Sequence, residues 1–328
     1  MKFDSPAFKA LLTPELLKLS SLFSKEGFEM KIAGGAVRDL LMGIVPADVD
    51  FASTATPPEM KAVFEREGVR MLHKKGEEHG TITCRIGEHN FEITTLRQDV
   101  VCDGRRAEVA FTKDWEVDAN RRDLTINALF LALDGEVVDY VGGVEDVKKR
   151  RVAFVGEAAT RIQEDFLRIL RYFRFFGRIA LEDAVHEETT MQAIRDNKEG
   201  LRGVSAERIW TELRRIVIGR LAPSVMKSML VDCGLTSLLG LPEGCERYLE
   251  RYERVYESGR RAEKGFANIG EIPLKLESMT MVAALCTSLE DIAAFHAKTK
   301  LSNLERETGE FIVEYRDEAE KKTKEAEG

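Results

Sequence analysis

The signals for β-strands stop near residue 160, and this change constrains the fold more than any other feature of the chain. Before it, short alternating segments are separated by turn residues, as in the predicted hairpin from Thr81 to Leu96. From about Arg161, helical periodicity dominates to the end. The pattern predicts an α+β protein in which a mixed sheet with helices is followed by an all-α part.

Local signals predict the order of elements. Residues 5–26 carry leucines at helical spacing and a proline that opens a second helix, which predicts a helical hairpin. The other predicted elements are a strand from Phe28 to Ala33, a short helix ending near Gly43, a strand from Asp48 to Ser53, a helix from Thr56 to about Glu67, a polar loop from Arg97 to about Ala107, a hairpin turn at Asp134-Gly135 and a frayed, charged helix from Glu314 to Gly328.

Composition excludes several classes of protein. The 328 residues are 44% hydrophobic and 32% charged, which suits a globular chain of two or three domains. No run of about 18 apolar residues predicts a membrane span. The five cysteines form no C-x-x-C pair, so neither a zinc site nor a disulfide framework is expected. The net charge of −8 argues mildly against a nucleic-acid partner, although clustered arginines count for more.

Asp48 and Asp50 are separated by one residue on a predicted strand. Because side chains alternate along a strand, both carboxylates are expected on one face. Crowded carboxylates repel each other unless a cation lies between them, and Mg²⁺ prefers oxygen ligands together with substrate phosphate. Glu92, on the predicted strand from Phe91 to Leu96, is a candidate third carboxylate. The alternative is two acids on a solvated strand face.

Gly34 and Gly35 lie between a predicted strand and a predicted helix. Glycines there let the backbone approach a ligand, and the helix N-terminus offers N–H groups to an anion. Arg38 follows within one turn and can bind a phosphate through two hydrogen bonds. No Lys-Ser/Thr pair follows, which excludes a Walker A loop. A phosphate-binding turn shortly before a carboxylate pair is what nucleotidyl transfer needs.

Two further segments carry candidate nucleotide-binding residues. In the segment from Arg121 to Ala128, Arg122 is predicted to bind the triphosphate, and Asp123 and Asn127 are predicted to lie near the ribose. The alternative is the start of an amphipathic helix. The segment from Gln163 to Arg178 is predicted to be one helix, with a stripe of arginines on one face: Arg168, Arg171, Arg174 and Arg178.

Asp165 and Arg168 form a pair of one acceptor and one donor, three residues apart. The carboxylate can accept from the amino group of cytosine or adenine, and the guanidinium can donate to the adjacent ring acceptor. Guanine and uracil present a carbonyl there instead, which the carboxylate repels. The pair can therefore select C and A without a template strand.

Together these motifs resemble those of class II CCA-adding enzymes of the animal mitochondrial and cytosolic type, within the tRNA nucleotidyltransferase and poly(A) polymerase family. The motifs are G-G-x-V-R-D (Gly34 to Asp39), D-x-D (Asp48 to Asp50), R-R-D-x-x-x-N-A (Arg121 to Ala128), E-D-x-x-R (Glu164 to Arg168) and S-x-E-R-I-W-x-E-L (Ser205 to Leu213). The match is dense to about residue 220 and weak beyond it.

The resemblance implies a polymerase-β-like nucleotidyltransferase head followed by helical neck and body domains. The implied boundaries are N-terminal helices at 1–27, the head at 28–155, the neck at 156–220 and a body with a shortened tail at 221–328. The implied nucleotide-binding residues are Gly35, Arg38, Arg122, Asp165, Arg168, Arg171 and Arg174, to which Gly34, Asp123, Asn127 and Glu164 are added from the same motifs. Asp48 and Asp50 are the implied metal ligands, whereas Glu92 as a catalytic carboxylate is inferred from its strand alone.

The expected reaction is addition of C, C and A to the 3′ end of tRNA from CTP and ATP, with Mg²⁺ as cofactor and release of pyrophosphate. The chain is expected to be a monomer or weak homodimer without membrane contact, located in the cytoplasm, the mitochondrion or both, or in the nucleus. Three alternatives stay open: an A-adding or CC-adding member of a split pair, a poly(A) polymerase, and a non-catalytic tRNA-binding module. The segment Asp103 to Glu108 looks complete, which argues against CC-only addition.

Overall fold

The computed structural model of the chain describes residues 1–72, 77–102, 107–265 and 276–327. Its contacts divide the chain into a first unit, Met1–Glu164, and a second unit, Asp165–Gly328. The first unit holds the described strands and the second is helical, so the predicted α+β class is confirmed. The finer division into hairpin, head, neck and body stays a prediction.

The first unit is built on a mixed sheet. Its strands are β1 Met30–Ala33, β2 Asp50–Ser53, β3 Arg70–Leu72, β4 Thr81–Ile86, β5 His89–Thr95, β6 Arg97–Cys102, β7 Ala107–Phe111, β8 Phe130–Leu131 and β9 Val137–Val138. Among the described residues, seven strands form one sheet in the order β3-β4-β5-β2-β1-β8-β9, and β6 pairs with β7 separately. Strands β2 and β5 run parallel, and the other neighbours run antiparallel.

Helices cover this sheet. They are α1 Pro6–Leu11, α2 Pro14–Lys25, α3 Gly35–Leu41, α4 Pro57–Arg66, α5 Trp115–Asn120, α6 Gly143–Lys149 and α7 Ala158–Glu164, with 3₁₀ turns at Glu77–His79 and Thr125–Asn127. The predicted N-terminal hairpin is confirmed. The hydroxyls of Ser5 and Thr13 accept hydrogen bonds from the first turns of α1 and α2, each of which begins with proline.

Two sequence predictions about strands are wrong. Strand β2 begins at Asp50, so Asp48 lies in the preceding segment and not on the strand. The predicted polar loop from Arg97 is a strand, β6, because its backbone pairs with β7 from Arg97↔Phe111 to Cys102↔Ala107. The prediction that Asp103 to Glu108 forms a complete loop falls largely on residues 103–106, which lie outside the described residues.

Trp115 anchors the core of the first unit. Its ring meets Phe130 edge to face at 4.9 Å, and its indole N–H donates to Glu29 at 3.1 Å. Ala33, Ala52 and Leu96 complete the same buried cluster, so β1, β2 and the start of β6 are held together.

The second unit contains the remaining helices. They are α8 Arg168–Ile179, α9 Glu188–Asn197, α10 Ala206–Ile216, α11 Ala222–Lys227, α12 Leu249–Gly265, α13 Ser278–Ala283, α14 Leu289–Thr299 and α15 Asn303–Glu327, with a π-helical turn at Ser228–Asp232 and 3₁₀ turns at Lys198–Gly203, Ser237–Leu239 and Cys245–Tyr248. None of the helices in the described ranges is long and apolar enough to cross a membrane.

His186 fixes the segment after α8 to that helix. Its ring stacks on Phe176 with centroids 3.8 Å apart, and a 2.9 Å hydrogen bond joins Nδ1 to the Tyr172 hydroxyl. Burial lowers the pKa of His186 from 6.5 to about 4, although the charge of Asp232 acts in the opposite direction. The ring is therefore neutral in the folded protein at neutral pH.

We expect the free energy of unfolding to fall as the pH drops from about 6.5 to about 4, because the unfolded chain then binds a proton at His186 that the folded chain does not. Below about pH 4 this contribution is fully lost. Denaturant unfolding of wild type and His186→Gln at several pH values measures it, and the variant should show the shallower slope. Equal slopes would contradict the assignment, and His89→Gln, at an exposed ring, is the matched control.

Candidate active site

Asp48, Asp50 and Glu92, here called the carboxylate cluster, lie at one end of the sheet. The parallel register of β2 and β5 sets Asp50 directly beside Glu92, and all three residues line the wall of one cavity. Burial raises the pKa of Asp50, the charge of Asp48 raises it further, and that of Arg122 lowers it. Burial also raises the pKa of Glu92, followed by repulsion from Asp50 and Asp48. The three carboxylates therefore crowd one another.

The cluster suits a hard divalent cation, because it offers only oxygen donors and its mutual repulsion would be relieved by positive charge. Within the described ranges, no three acidic, histidine or cysteine side chains come close enough to form a complete cage. This is compatible with a magnesium-type site, in which one or two carboxylates act together with substrate phosphates.

The turn at Gly34 requires glycine. Its φ of +65° lies in the left-handed region, and a Cβ atom there would come within 3.1 Å of Nη1 of Arg122. Helix α3 begins at the next residue, Gly35, as the sequence predicts. The turn and the Arg122 guanidinium are thus brought together, next to the strand that pairs with β2.

Arg38 does not lie open to a ligand in this structure. The residue is 2% exposed, its Nε and Nη2 donate to Oδ1 of Asp39 at 2.9 and 2.8 Å, and its Nη1 donates to Oδ1 of Asn127 at 2.5 Å. Asp39 is itself 6% exposed, so this is a buried ion pair with a further charge-assisted bond. Its observed contacts support the backbone around the glycine turn; its predicted role in phosphate binding stays a prediction.

Arg122 is held in place by a residue that the sequence analysis did not single out, Asp118. One carboxylate oxygen of Asp118 accepts from Nε and Nη2 of Arg122 at 3.1 and 2.9 Å, and the other accepts from Arg121 and from the N–H of Arg97. Burial raises the pKa of Asp118, but the two arginines outweigh burial and the net pKa is lowered. The spacing D-x-x-R-R could have indicated this clamp.

The clamp leaves part of Arg122 available. Nη1 donates once, to the carbonyl of Asn127 at 3.1 Å, and the guanidinium carbon lies 4.8 Å from the centre of the Phe130 ring. A guanidinium carries five N–H bonds, and these contacts use three of them. Asp123 and Asn127 are each 8% exposed, and Asp123 accepts from the N–H of Leu124. Their predicted contact with a ribose stays a prediction.

The predicted continuous helix through Asp165 is wrong. Helix α7 ends at Glu164, where the first unit ends, and α8 begins at Arg168. Between them, Oδ1 of Asp165 accepts from the N–H of Leu167 at 3.1 Å, and its carbonyl accepts from Arg168. A short acidic side chain that binds nearby N–H groups competes with helix continuation. Glu164 forms an ion pair with Arg161, at 3.0 Å, inside the first unit.

Helix α10 braces the residues of α8. Nη2 of Arg208 donates to the second carboxylate oxygen of Asp165 at 2.6 Å. Glu212, 5% exposed, lies 2.5 Å from Nε of Arg174 and 3.9 Å from Nη1 of Arg171. Arg208 and Glu212 both belong to the S-x-E-R-I-W-x-E-L motif. The sequence shows this motif but not which side chains of the second unit it contacts.

The arginine stripe of α8 is partly exposed on one side, and its opposite side is buried. Arg168, Arg171 and Arg174 are of intermediate exposure, whereas Leu170 and Phe173 are buried. The guanidinium groups of Arg171 and Arg174 lie over the Phe175 ring, 5.7 and 4.2 Å from its centre. The stripe therefore joins positive charge to a fixed aromatic surface.

The site places acidic side chains on adjoining strands, beside a glycine turn and a clamped arginine. This arrangement is that of a nucleotidyltransferase head. Residues 30–153 match the family described as the Poly A polymerase head domain, and residues 186–243 match "Probable RNA and SrmB- binding site of polymerase A".

Relatives agree over nearly the whole chain. It is 48% identical to the mitochondrial CCA tRNA nucleotidyltransferase 1 of Danio rerio over 96% of this chain and 70% of that relative. It is 46% identical to the Homo sapiens counterpart, over 98% of this chain and 71% of that relative. Among solved structures, the Bacillus stearothermophilus CCA-adding enzyme in complex with CTP superposes with a TM-score of 0.76 at 28% identity, covering 96% of this chain and 71% of that one.

The chain belongs to the CCA tRNA nucleotidyltransferase family, and the resemblance seen in the sequence motifs is confirmed. It is therefore a nucleotidyltransferase enzyme, and membership of this family implies use of a divalent metal.

We expect Arg38→Ala to lower the free energy of unfolding by about 3 kcal/mol or more, because the buried Asp39 carboxylate loses its ion pair with Arg38. Urea denaturation measures the change. The matched control is Arg66→Ala, which removes an exposed ion pair with Glu26 and should cost about 1 kcal/mol or less. A loss at Arg38 no larger than that at Arg66 would show that the buried contacts do not support the fold.

Proposed function

We propose that the enzyme adds C, C and A to the 3′ end of tRNA from CTP and ATP without a nucleic-acid template. The observation that carries the proposal is the carboxylate cluster, in which β2 and β5 bring Asp50 and Glu92 side by side next to Asp48. Two relatives that share most of this chain bear the name of this activity, and a solved relative binds CTP.

Asp48 and Asp50 are proposed to hold Mg²⁺, with Glu92 facing the same ions. When bound, the ions supply charge stabilisation for the attacking and leaving oxygens. The tRNA 3′-hydroxyl loses its proton to water and its oxygen attacks the α-phosphorus. The bond from the α-phosphorus to the oxygen that bridges it to the β-phosphate breaks, and pyrophosphate leaves with that oxygen. Arg122 uses its two remaining N–H bonds to hold the triphosphate, and Asp118 keeps that guanidinium in place.

Asp165 and Arg168 are proposed to select the base. The contacts of Asp165 with Leu167 and Arg208 use one position on each carboxylate oxygen, and each oxygen can accept a further hydrogen bond. The amino group of cytosine or adenine would take that position, whereas the carbonyl of guanine or uracil would be repelled. Arg208 acts as a positioning residue, because it fixes the direction of the carboxylate.

The mitochondrial relatives favour a mitochondrial location, and location in the cytoplasm or nucleus stays a prediction. The oligomeric state also stays a prediction. Addition of A alone, addition of CC alone and poly(A) synthesis are the competing activities, and product length separates them.

The direct test incubates the protein with Mg²⁺ and tRNA transcripts ending before CCA, after C and after CC. CTP and ATP are supplied singly and together, and products are resolved at single-nucleotide length. Three additions to the first transcript, stopping at CCA, are expected. Addition of A only to the CC-ending transcript would instead identify an A-adding enzyme. An unlimited A tail would identify a poly(A) polymerase, and no extension would identify a binding module.

We expect Asp50→Ala to abolish extension, because the cluster loses the carboxylate that lies beside both other acids. Single-turnover extension of the transcript ending before CCA measures this. Asp134→Ala, at an exposed turn, is the matched control and should extend normally. Normal extension by Asp50→Ala would refute the metal assignment.

We expect Asp165→Ala to relax the preference for CTP and ATP over UTP and GTP by about tenfold or more, because the acceptor that repels the wrong bases is lost. Ratios of kcat/KM for the four nucleotides measure it. Arg208→Ala should relax the preference in the same direction but less, since the carboxylate remains. Asp183→Ala, at an exposed position of the same unit, is the control, and unchanged ratios in Asp165→Ala would exclude the base-selecting role.

A further inference from the structure

The carboxylate cluster lines one part of a cavity of about 780 Å³ in the first unit. Its volume lies within the range of about 300–1,000 Å³ typical of ligand pockets. Its lining also includes Ala10, Leu11 and Thr13 of the N-terminal hairpin and His89 and Asn90 at the start of β5. None of these five residues belongs to the motifs discussed above.

The position of the cavity in the sheet gives its direction. In the order β4-β5-β2-β1-β8, the carboxylate cluster lies at β5 and β2. The Gly34 turn follows β1, and Arg122 lies against Phe130 of β8, so both are on one side of the cluster. From the sheet, the cavity is lined by β2, by β5 and by Thr83 of β4, and in the described part of the chain neither Gly34 nor Arg122 lines it.

In-line displacement places the attacking oxygen and the leaving pyrophosphate on opposite sides of the phosphorus. With the triphosphate on the side of Arg122, the acceptor must approach from the side of β4 and β5. We propose that the cavity binds the 3′-terminal nucleoside of the acceptor RNA, an inference that rests on the proposed function and locates its second substrate.

The residues that line the cavity suit a terminal nucleoside whose base can differ. Asn90 stands two residues from Glu92 on β5, so its amide points to the same face as that carboxylate and can bond the ribose or the base. The His89 ring is on the opposite face of β5, where it lies at 30° to Phe91, but it lines the same cavity, and its 53% exposed side chain offers a surface for stacking. Stacking tolerates any base. The acceptor ends in the nucleotide before CCA at the first addition and in C at the second and third, so the subsite must accept more than one base, as a stacking surface does.

Ala10→Trp tests the assignment, because Ala10 is exposed on the cavity wall and a tryptophan there would occupy the space. We expect KM for tRNA ending before CCA to rise about fivefold or more, as for the loss of one stacked base, with KM for CTP changed by less than about twofold. Leu17→Trp is the matched control, since Leu17 is exposed on the same hairpin and does not line the cavity.

Asn90→Ala provides a second variant that removes one hydrogen-bonding group and adds no bulk. It should raise KM for tRNA by about fivefold, again without a matching change for CTP. A third measurement needs no catalysis: tRNA with 4-thiouridine as its last nucleotide is irradiated on the wild-type protein and the crosslinked peptide is identified. Crosslinks within residues 10–16 or 89–92 are expected.

Crosslinks elsewhere in the chain, together with unchanged KM for tRNA in Ala10→Trp and Asn90→Ala, would overturn the proposal. If Ala10→Trp has a lower melting temperature than the wild type, the test rests on Asn90→Ala and the crosslink. Failure of the proposed function has a different signature, because the wild-type protein would then extend no tRNA at all.

Discussion

Repulsion among Asp48, Asp50 and Glu92 is the interaction around which the candidate active site is arranged. The parallel pairing of β2 with β5 contributes to it, because that register sets Asp50 beside Glu92. Positive charge nearby is held by buried contacts: Asp118 clamps Arg122, and the Asn127 that accepts from Arg122 is itself bound by Arg38. The buried carboxylates of Asp39 and Asp118 each form an ion pair with an arginine, which offsets the cost of burying their charge. The site thus combines negative carboxylates with positive arginines, and the contacts that hold the arginines are buried.

In the second unit, too, a buried acidic side chain holds arginines in place. Glu212 is almost fully buried beside Arg174 and Arg171, and burial of Arg174, aided by the charge of Arg171, lowers its pKa while Glu212 opposes this effect. The stripe of arginines on α8 is therefore not a loose, solvated surface. Helix α10 fixes its geometry, and the packing of α8 against buried apolar residues fixes its other face.

Much of the fold could be predicted because its signals are local. Thr13-Pro14 marks the start of α2, and the alternation between Thr81 and Leu96 marks β4 and β5. The failures were decided by distant partners or by side-chain chemistry. Strand β6 exists through its pairing with β7, and the burial of Arg38 depends on Asn127, 89 residues away. At Asp165, an unbroken helical periodicity concealed a side chain that binds the N–H of Leu167 and ends the pattern. The residues of the candidate site could be named from motifs, but not the ones that hold them.

The two occupied oxygens of Asp165 have a thermodynamic consequence. A carboxylate fixed by Leu167 and Arg208 loses its rotational freedom when the protein folds, and not when a nucleotide binds. If Asp165 selects the base as proposed, discrimination between bases depends on the rigidity of the polypeptide at the junction of Asp165 with α8 and α10. The proposed role therefore makes the accuracy of nucleotide choice depend on the same two contacts that order this junction when the protein folds.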